Sequence, residues 1–573
     1  MMSSRHSMGL APMASLSCRE NFVPFLHSVA FLVFVLFCFL CGCFLLLPSF
    51  HPLLLAFCNR LAGKSLSAEL WSGRFIEWGS KLLTLSFLFI LYRVRSLVSI
   101  GLRPRFDRMF LAFICAVWAF FCGATILLHE PWRDEVQAWL IARFETPAGI
   151  FHEMRNEGHF VPWFYLLFPF ARLGFPALTL NLISYGMMAA CVILFICKAP
   201  FNIYAKAAFV FTVPMSYYYP VISRCYCLFA LCVFLLAVLF KKRTSHPYCY
   251  ALLLGLLANS HAYAEGMVAV LTADAFISDI FLPWKGLAPR ERRQRLYALA
   301  IVVFLVLFAF CQVAPAFGSS SSVGSGHRLT IENFFDVFIQ VFLALDLSNC
   351  SLFLLLAFTI ASLHYLSWQR KAELLAVLGL SILYMLLFAV LLYGASIPNR
   401  AWMWFFVLVF VLWQLEPKAG SILLLLLSVA ACNPSVNMRD WNRAFSSAQA
   451  TVSYMQDLIP AEENIYLPYN HANYALVFFA PERSFRSFET GQCAKQFSWS
   501  LASKKVAAQD INACVRDRLA ESGTGSIIIV GLNNILADGY GSLAYAYDVL
   551  LDPLPSITAE SYSILRVYDR ARP

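Results

Sequence analysis

Asp134, Glu135, Glu157 and His159 are gathered in one segment, His129 to Pro169, which follows directly on the apolar run Met109–Leu128. A carboxylate held at a membrane interface is partly desolvated and can serve as a general base toward a hydroxyl. Asp134 and Glu135 open "DEVQAWLIARF", where Val136, Trp139, Leu140 and Phe144 recur at helical spacing. The stretch therefore reads as an amphipathic helix lying on a bilayer surface, with both acids at its start. A structural account competes with this one, because Asp134 and Gln137 have capping-box spacing and acids favour a helix start. "RNEGHFVPW" adds Arg155, Glu157 and His159 beside a Gly and a Pro, a composition that a solvated loop also produces.

Other polar residues recur at the ends of apolar runs. Arg224, in "ISRCYCL", opens a run where a charge is costly unless it is paired. A snorkelling arginine is the ordinary explanation, but a fixed guanidinium there could also grip a phosphate in bidentate fashion. Tyr226 follows it at once. His261, Tyr263 and Glu265 in "ANSHAYAEG", and Arg400 in "GASIPNRAWMWFF", stand at further turns. Each alone reads more easily as structural. Their convergence on one side of the membrane, from independent helices, is what points to a site.

The elements that must position these groups are membrane spans. The chain is 60% hydrophobic and 13% charged, against roughly 25% charged in a soluble domain, so it is read as a multi-pass membrane protein. Candidate spans are 26–47, 78–92, 109–128, 178–197, 203–218, 225–240, 248–260, 264–283, 297–315, 349–366, 374–393, 401–416 and 421–432. With about thirteen crossings and a cytoplasmic N-terminus, the basic connectors of the core fall on the cytoplasmic side, provided that Phe160–Leu173 stays on the outer face as a juxtamembrane or re-entrant helix. The loop carrying Arg60, Lys64 and Arg74 is the exception and weakens the first two spans. The first 25 residues carry two arginines and lead into the long run Leu26–Leu47, with no small-residue cleavage site close behind that run, so a retained span is expected rather than a signal peptide. The net charge of +10 is then a topology signal and gives no case for nucleic acid.

From Asn433 the character changes. "NIYLPY", "SIIIVGL" and "SYSILRVYD" read as strands and "AAQDINACVRDRLAES" as a helix between them, giving a small α/β domain. The expected fold is a polytopic α-helical membrane protein with outer-face juxtamembrane helices and a small C-terminal extracytoplasmic α/β domain. Its divisions are 1–108, a two-helix extension; 109–432, a catalytic core whose first outer loop is 129–177; and 433–573, the tail. Most of the 18 cysteines lie in apolar runs as small hydrophobes, while Cys493 and Cys514, in the tail, could pair if it is extracytoplasmic. No Walker A, GxGxxG, HExxH or zinc pattern occurs.

"RDEVQAW", then "EGHFVPWFYLL", then "ISRCYCL" follow an apolar core span in this order. The arrangement resembles the GT-C superfamily of polyprenyl-phosphate-sugar-dependent glycosyltransferases, most of all the bacterial branch related to protein O-mannosyltransferases and lipid A aminoarabinose transferases. It covers about 109–432. The resemblance implies that Asp134 is the catalytic aspartate, acting as general base, with Glu135 assisting, and that Arg224 and Arg400 contact the donor phosphate. Glu157, His159, Tyr226, His261 and Glu265 are the further candidates for substrate binding. It further implies a polyprenyl-phosphate sugar donor, a glycan, lipid or protein acceptor, surrounding membrane lipid, and a site on the outer face of the plasma membrane, with a divalent metal as an open option. Phe160 and Val161 stand where relatives commonly have prolines, and Ala401 replaces an expected His. Two other readings are a polysaccharide polymerase or ligase, and a transporter or flippase. The latter would need charges near the bilayer midplane and often internal repeats, whereas the charges here lie mostly at span ends and no repeat is evident.

Overall fold

A computed structural model of the chain describes residues 32–62, 67–157, 159–318, 330–393, 398–468, 474–493, 511–532, 543–558 and 560–571. The polar loop "GSSSSVGSGHRLTIEN" lies largely outside them, as do residues 1–31 and Lys64. The chain divides into two compact units, Met1–Arg108 and Met109–Pro573.

In the first unit the helices Leu32–Leu46 and Pro48–Arg60 meet at 78°, bent at Pro48, whose ring cannot continue the first helix. Gly42 and Gly79 let two backbones approach so closely that a Cβ on Gly79 would stand 2.9 Å from the Gly42 carbonyl oxygen. The long helix Ala68–Leu97 buries an ion pair, Lys81 Nζ to Glu77 Oε1 at 3.0 Å.

The second unit is a helical bundle with one small sheet. Among the described residues of the whole chain, seven helices are long and apolar enough to cross a membrane, or eight if the bent pair counts as one span. This is fewer than the thirteen runs read from sequence, and the reason is local. Run 203–218 breaks into the helix Ile203–Phe209 and a π-turn, Pro214–Tyr218. Run 264–283 changes from the helix Ala264–Asp274 to the π-turn Ala275–Phe281. Tyr226–Leu239 and Pro247–Ala258 have 14 and 12 residues, about 21 and 18 Å at 1.5 Å per residue, short of a hydrocarbon core of about 30 Å. The first of these is buried along nearly its whole length, so protein rather than lipid surrounds it. The segment Val161–Arg172 is a 12-residue helix with Pro162 in its first turn and is likewise too short to cross.

The acidic segment forms the helix Arg133–Phe144, but not as an amphipathic surface element. All residues from Glu135 to Ala142 are buried, because the helices Val161–Arg172 and Tyr474–Phe479 pack against it. The capping register also differs from the sequence reading. Glu135 reaches back to the Trp132 amide at 3.2 Å, so the box spans Trp132 and Glu135, and Asp134 is released from capping.

Among the described residues the tail sheet has five strands: β1 (Ile465–Leu467), β2 (Phe485–Ser487), β3 (Ser526–Leu532), β4 (Tyr545–Leu551) and β5 (Tyr562–Ala571), in the order β2-β1-β3-β5-β4. β1 runs parallel to β2 and β3, and β5 is antiparallel to β3 and β4. The helix Ile511–Ser522 covers one face, where Cys514 is buried; Cys493 is exposed.

Candidate active site

Asp134 and Glu135, adjacent in sequence, point to different places. Glu135 is wholly buried and accepts three hydrogen bonds: from His129 Nε2 at 3.0 Å, from the Trp132 amide and from the Ser223 amide at 2.5 Å. The Ser223 contact fixes the chain immediately before Arg224. His129 in turn gives its Nδ1 hydrogen to Asp440 Oδ2 at 2.8 Å, an oxygen that also accepts from the Tyr217 hydroxyl at 3.1 Å. Burial pushes the His129 imidazolium down, but the two carboxylates outweigh it and hold it up to about 10. A buried carboxylate–imidazolium–carboxylate chain therefore ties the segment before the helix Arg133–Phe144 to the Arg224 turn and to the helix Ser435–Asn442. Glu135 belongs to this frame.

Asp134 turns the other way. Its side chain is one-third exposed and lies 3.2 Å from Arg224 Nη1 and 3.8 Å from Arg133 Nε. Arg224 is buried, donates to the Asp134 carbonyl oxygen at 2.6 Å, and meets His159 Nε2 through Nη2 at 3.2 Å. Burial, then the charges of Arg224 and Arg400, hold the His159 imidazole neutral, so His159 Nε2 can accept from the guanidinium. These groups line a groove whose other walls are Phe160, Trp163 and Phe164. Charge and aromatic surface thus share one opening.

Behind the groove, Arg400 stands on the short helix Pro398–Ala401, which the Tyr219 hydroxyl steadies through the Asn399 carbonyl at 3.1 Å. His261 is buried and also held neutral, by burial first and then by Arg400 and Arg224. Its Nδ1 accepts from the Tyr263 amide at 3.1 Å, which leaves the hydrogen on Nε2, and that atom has no partner among the described residues. A buried donor without an acceptor is rare in folded proteins and marks a place where a ligand atom would be favoured. The Tyr226 ring lies 5.3 Å from His261.

The remaining candidates are less engaged. Glu265 sits in the first turn of the helix Ala264–Asp274, and no described hydrogen bond ties it to Asp134 or Arg224. Glu157 ends the helix Pro147–Glu157, and its side chain lies outside the described ones. Among the described residues no group of three or more His, Cys, Asp or Glu side chains is placed to hold a metal ion, and Asp134 is already engaged by two guanidiniums. Sequence reasoning missed His129, Ser223 and Asp440. His129 stands three residues before Trp132, the cap of the helix, yet nothing marked it as the partner of an acid more than 300 positions away.

No protein-family model matches the chain, and no curated protein matches it. Two solved structures are similar to it. The crystal structure of ArnT from Cupriavidus metallidurans bound to undecaprenyl phosphate matches over 80% of this chain and 98% of its own, at 12% identity and a TM-score of 0.47. The same protein in the apo state matches over 81% and 99%, at 11% identity and a TM-score of 0.41.

Proposed function

We propose that the chain is an integral membrane glycosyltransferase that moves a sugar from a polyprenyl-phosphate donor to an acceptor hydroxyl, with inversion, on the outer face of the membrane. The observation that carries this reading is the one-third exposed carboxylate of Asp134 set against the buried Arg224 at the mouth of an aromatic-walled groove.

In this reading Asp134 takes the proton from the acceptor hydroxyl as its oxygen attacks the anomeric carbon. The bond from that carbon to the phosphate oxygen breaks, and the polyprenyl phosphate leaves with the electron pair. Arg224 and Arg400 neutralise the charge that develops on the leaving group. The donor phosphate competes with Asp134 for Arg224, so donor binding loosens the ion pair and frees the base for its task. His261, neutral and with its Nε2 hydrogen unspent, supplies a further donor to the phosphate. Glu135 acts only through the position of Arg224. The aromatic wall suits the lipid chain and the sugar face, and the exposed side of Asp134 suits a water-soluble acceptor.

Purified protein in vesicles carrying a polyprenyl-phosphate sugar should release polyprenyl phosphate and glycosylate an added acceptor. Net movement of the lipid-linked sugar between leaflets without transfer would overturn the reading. The outer-face assignment predicts that a tag inserted at Gly523, in the turn before β3, is labelled from outside intact cells.

A further inference from the structure

Two helix starts meet where the tail touches the first outer loop. The helix Arg133–Phe144 begins after Trp132, and the tail helix Ala448–Leu458 begins after Ser447. Each start presents unpaired amide hydrogens and the positive end of a helix dipole, so bringing the two together is unfavourable unless acceptors lie between them. Two acids supply these, each from the opposite segment. Glu560, in the tail, is buried, and both its carboxylate oxygens accept from the Arg133 amide, at 3.0 and 3.2 Å. Its backbone carbonyl accepts from the Ser447 amide at 3.0 Å and from the Ser447 hydroxyl at 3.2 Å. Glu130, in the loop, accepts from the Gln449 amide at 2.6 Å. Tyr562 completes the set by donating its hydroxyl to Glu560.

We propose that Glu560 is a positioning residue of the transferase site: by holding the first amide of the helix Arg133–Phe144 from the tail, it sets the direction of Asp134, the next residue. The inference rests on the reading of Asp134 as the base. Neither Glu560 nor Glu130 lines the groove, so their part is played through the helix start alone. Arg224 holds the far side of the same residue, at the Asp134 carbonyl oxygen, and Glu560 holds the near side, at the Arg133 amide. Between these two grips the peptide that orients the Asp134 carboxylate has little freedom. General-base transfer requires the reacting atoms to be held close to their productive geometry, and a misplacement of about 1 Å can cost about a hundredfold. The tail thereby becomes a working part of the site.

Burial pushes the Glu560 carboxyl up to about 8, so near neutral pH it acts mainly as a hydrogen-bonding group. Glutamine, of the same shape, keeps an acceptor for the Arg133 amide, whereas alanine removes it. This separates the variants. In the full-length purified protein, Glu560→Ala should speed amide hydrogen exchange in the first turn of the helix Arg133–Phe144 by roughly tenfold, the worth of one ordinary hydrogen bond. It should lower kcat by about 10- to 100-fold with donor KM unchanged, and Glu560→Gln should stay near the parent in both measurements. If Glu560→Ala does not accumulate, Glu560→Asp carries the test, because the shorter side chain withdraws the carboxylate and leaves the backbone contacts to Ser447. Unchanged exchange would overturn the positioning role, and so would faster exchange with unaltered kcat. Absence of glycosyl transfer in the parent protein, with exchange behaving as expected, would instead overturn the function proposed above.

Discussion

The helix Tyr226–Leu239 carries an arginine just beyond each end, and the two are held in opposite ways. Past its C-terminal end, Arg243 meets Asp274 at 2.7 Å and Asp279 at 2.7 Å, with a second contact to Asp279 at 3.2 Å, and its guanidinium lies 4.6 Å from the centre of the Phe240 ring. Two acids serve one base there. Before the N-terminal end, Arg224 has one oxygen of the Asp134 carboxylate at 3.2 Å, while the other oxygen of that carboxylate lies 3.8 Å from Arg133, and its remaining partners are a backbone carbonyl and a neutral imidazole. Its surroundings include the second guanidinium of Arg400, whose charge acts on the same histidines. Arg243 is a strut between two helices and a π-turn. Arg224 keeps its charge only partly matched, which is the condition for taking a further anion.

The comparison breaks most sharply at Asp134, whose carboxylate is the one that meets Arg224 among the described residues. Asp134→Asn preserves size but removes the base, and turnover should fall by roughly 10²–10⁴ while the protein accumulates normally in the membrane. Initial rates with saturating donor and acceptor check this. Because the helix cap is supplied by Glu135 and Glu560 instead, near-normal turnover could not be excused by a lost structural role and would remove Asp134 from the chemistry.

A smaller effect separates the two arginines themselves. Arg224→Lys keeps the charge and loses the fork that grips two phosphate oxygens. It should weaken donor binding or slow transfer by roughly ten- to a hundredfold, corresponding to about 1.5–3 kcal/mol for a hydrogen bond to a charged group, with acceptor affinity little changed. Arg243→Ala should behave in the reverse manner. It leaves Asp274 and Asp279 facing one another, so the melting temperature should drop, while donor kinetics of the folded fraction hold. Equal kinetic damage from both substitutions would abolish the distinction between strut and site.

How far the sequence reaches follows from the same contrast. Asp134, Arg224, His159, His261 and Arg400 drew notice in the sequence because separate apolar runs end in them, where a charge is costly unless paired, and the structure brings Asp134, Arg224 and His159 to one groove. The frame beneath them was not. His129, Asp440, Glu130 and Glu560 gain their meaning from contacts spanning hundreds of residues, which no local spacing records. The helix Arg133–Phe144 had its amphipathic pattern read correctly as helical, but what covers its polar side, including a helix of the tail, is a tertiary fact. An apolar run signals burial without saying in what, and Tyr226–Leu239 is buried in protein. In the tail, β3 and β5 are long or apolar enough to stand out, whereas β2 has only three residues with an Arg at its centre. β4, "YAYDVLL", carries strand-forming residues that could have been read.

The smallest effect on turnover, and the finest test of the frame, concerns His129. Its imidazolium is held at about 10 in the folded protein, against about 6.5 unfolded. A group raised in this way contributes stability that is fully present below pH 6.5 and is lost as pH rises through 10. Two other groups share part of that window: Glu130 and Glu560, raised chiefly by burial to about 7 and about 8, also lose their contribution as pH rises through those values. The fall of melting temperature with pH is therefore not diagnostic by itself, but its difference from a variant is. His129→Gln keeps a donor for one of the two carboxylates and removes the titration, so the parent should be the more stable protein near pH 6.5. That advantage should shrink steadily toward pH 10, on the order of 1 kcal/mol per pH unit over the interval. Tryptophan fluorescence melts of both proteins across this range measure it, with Trp132 and Trp139 on the affected loop. Parallel curves would mean that His129 does not carry the charge. The Ser223 contact of Glu135 would then lack its counter-charge, and the strut that seats Arg224 would have to be sought elsewhere.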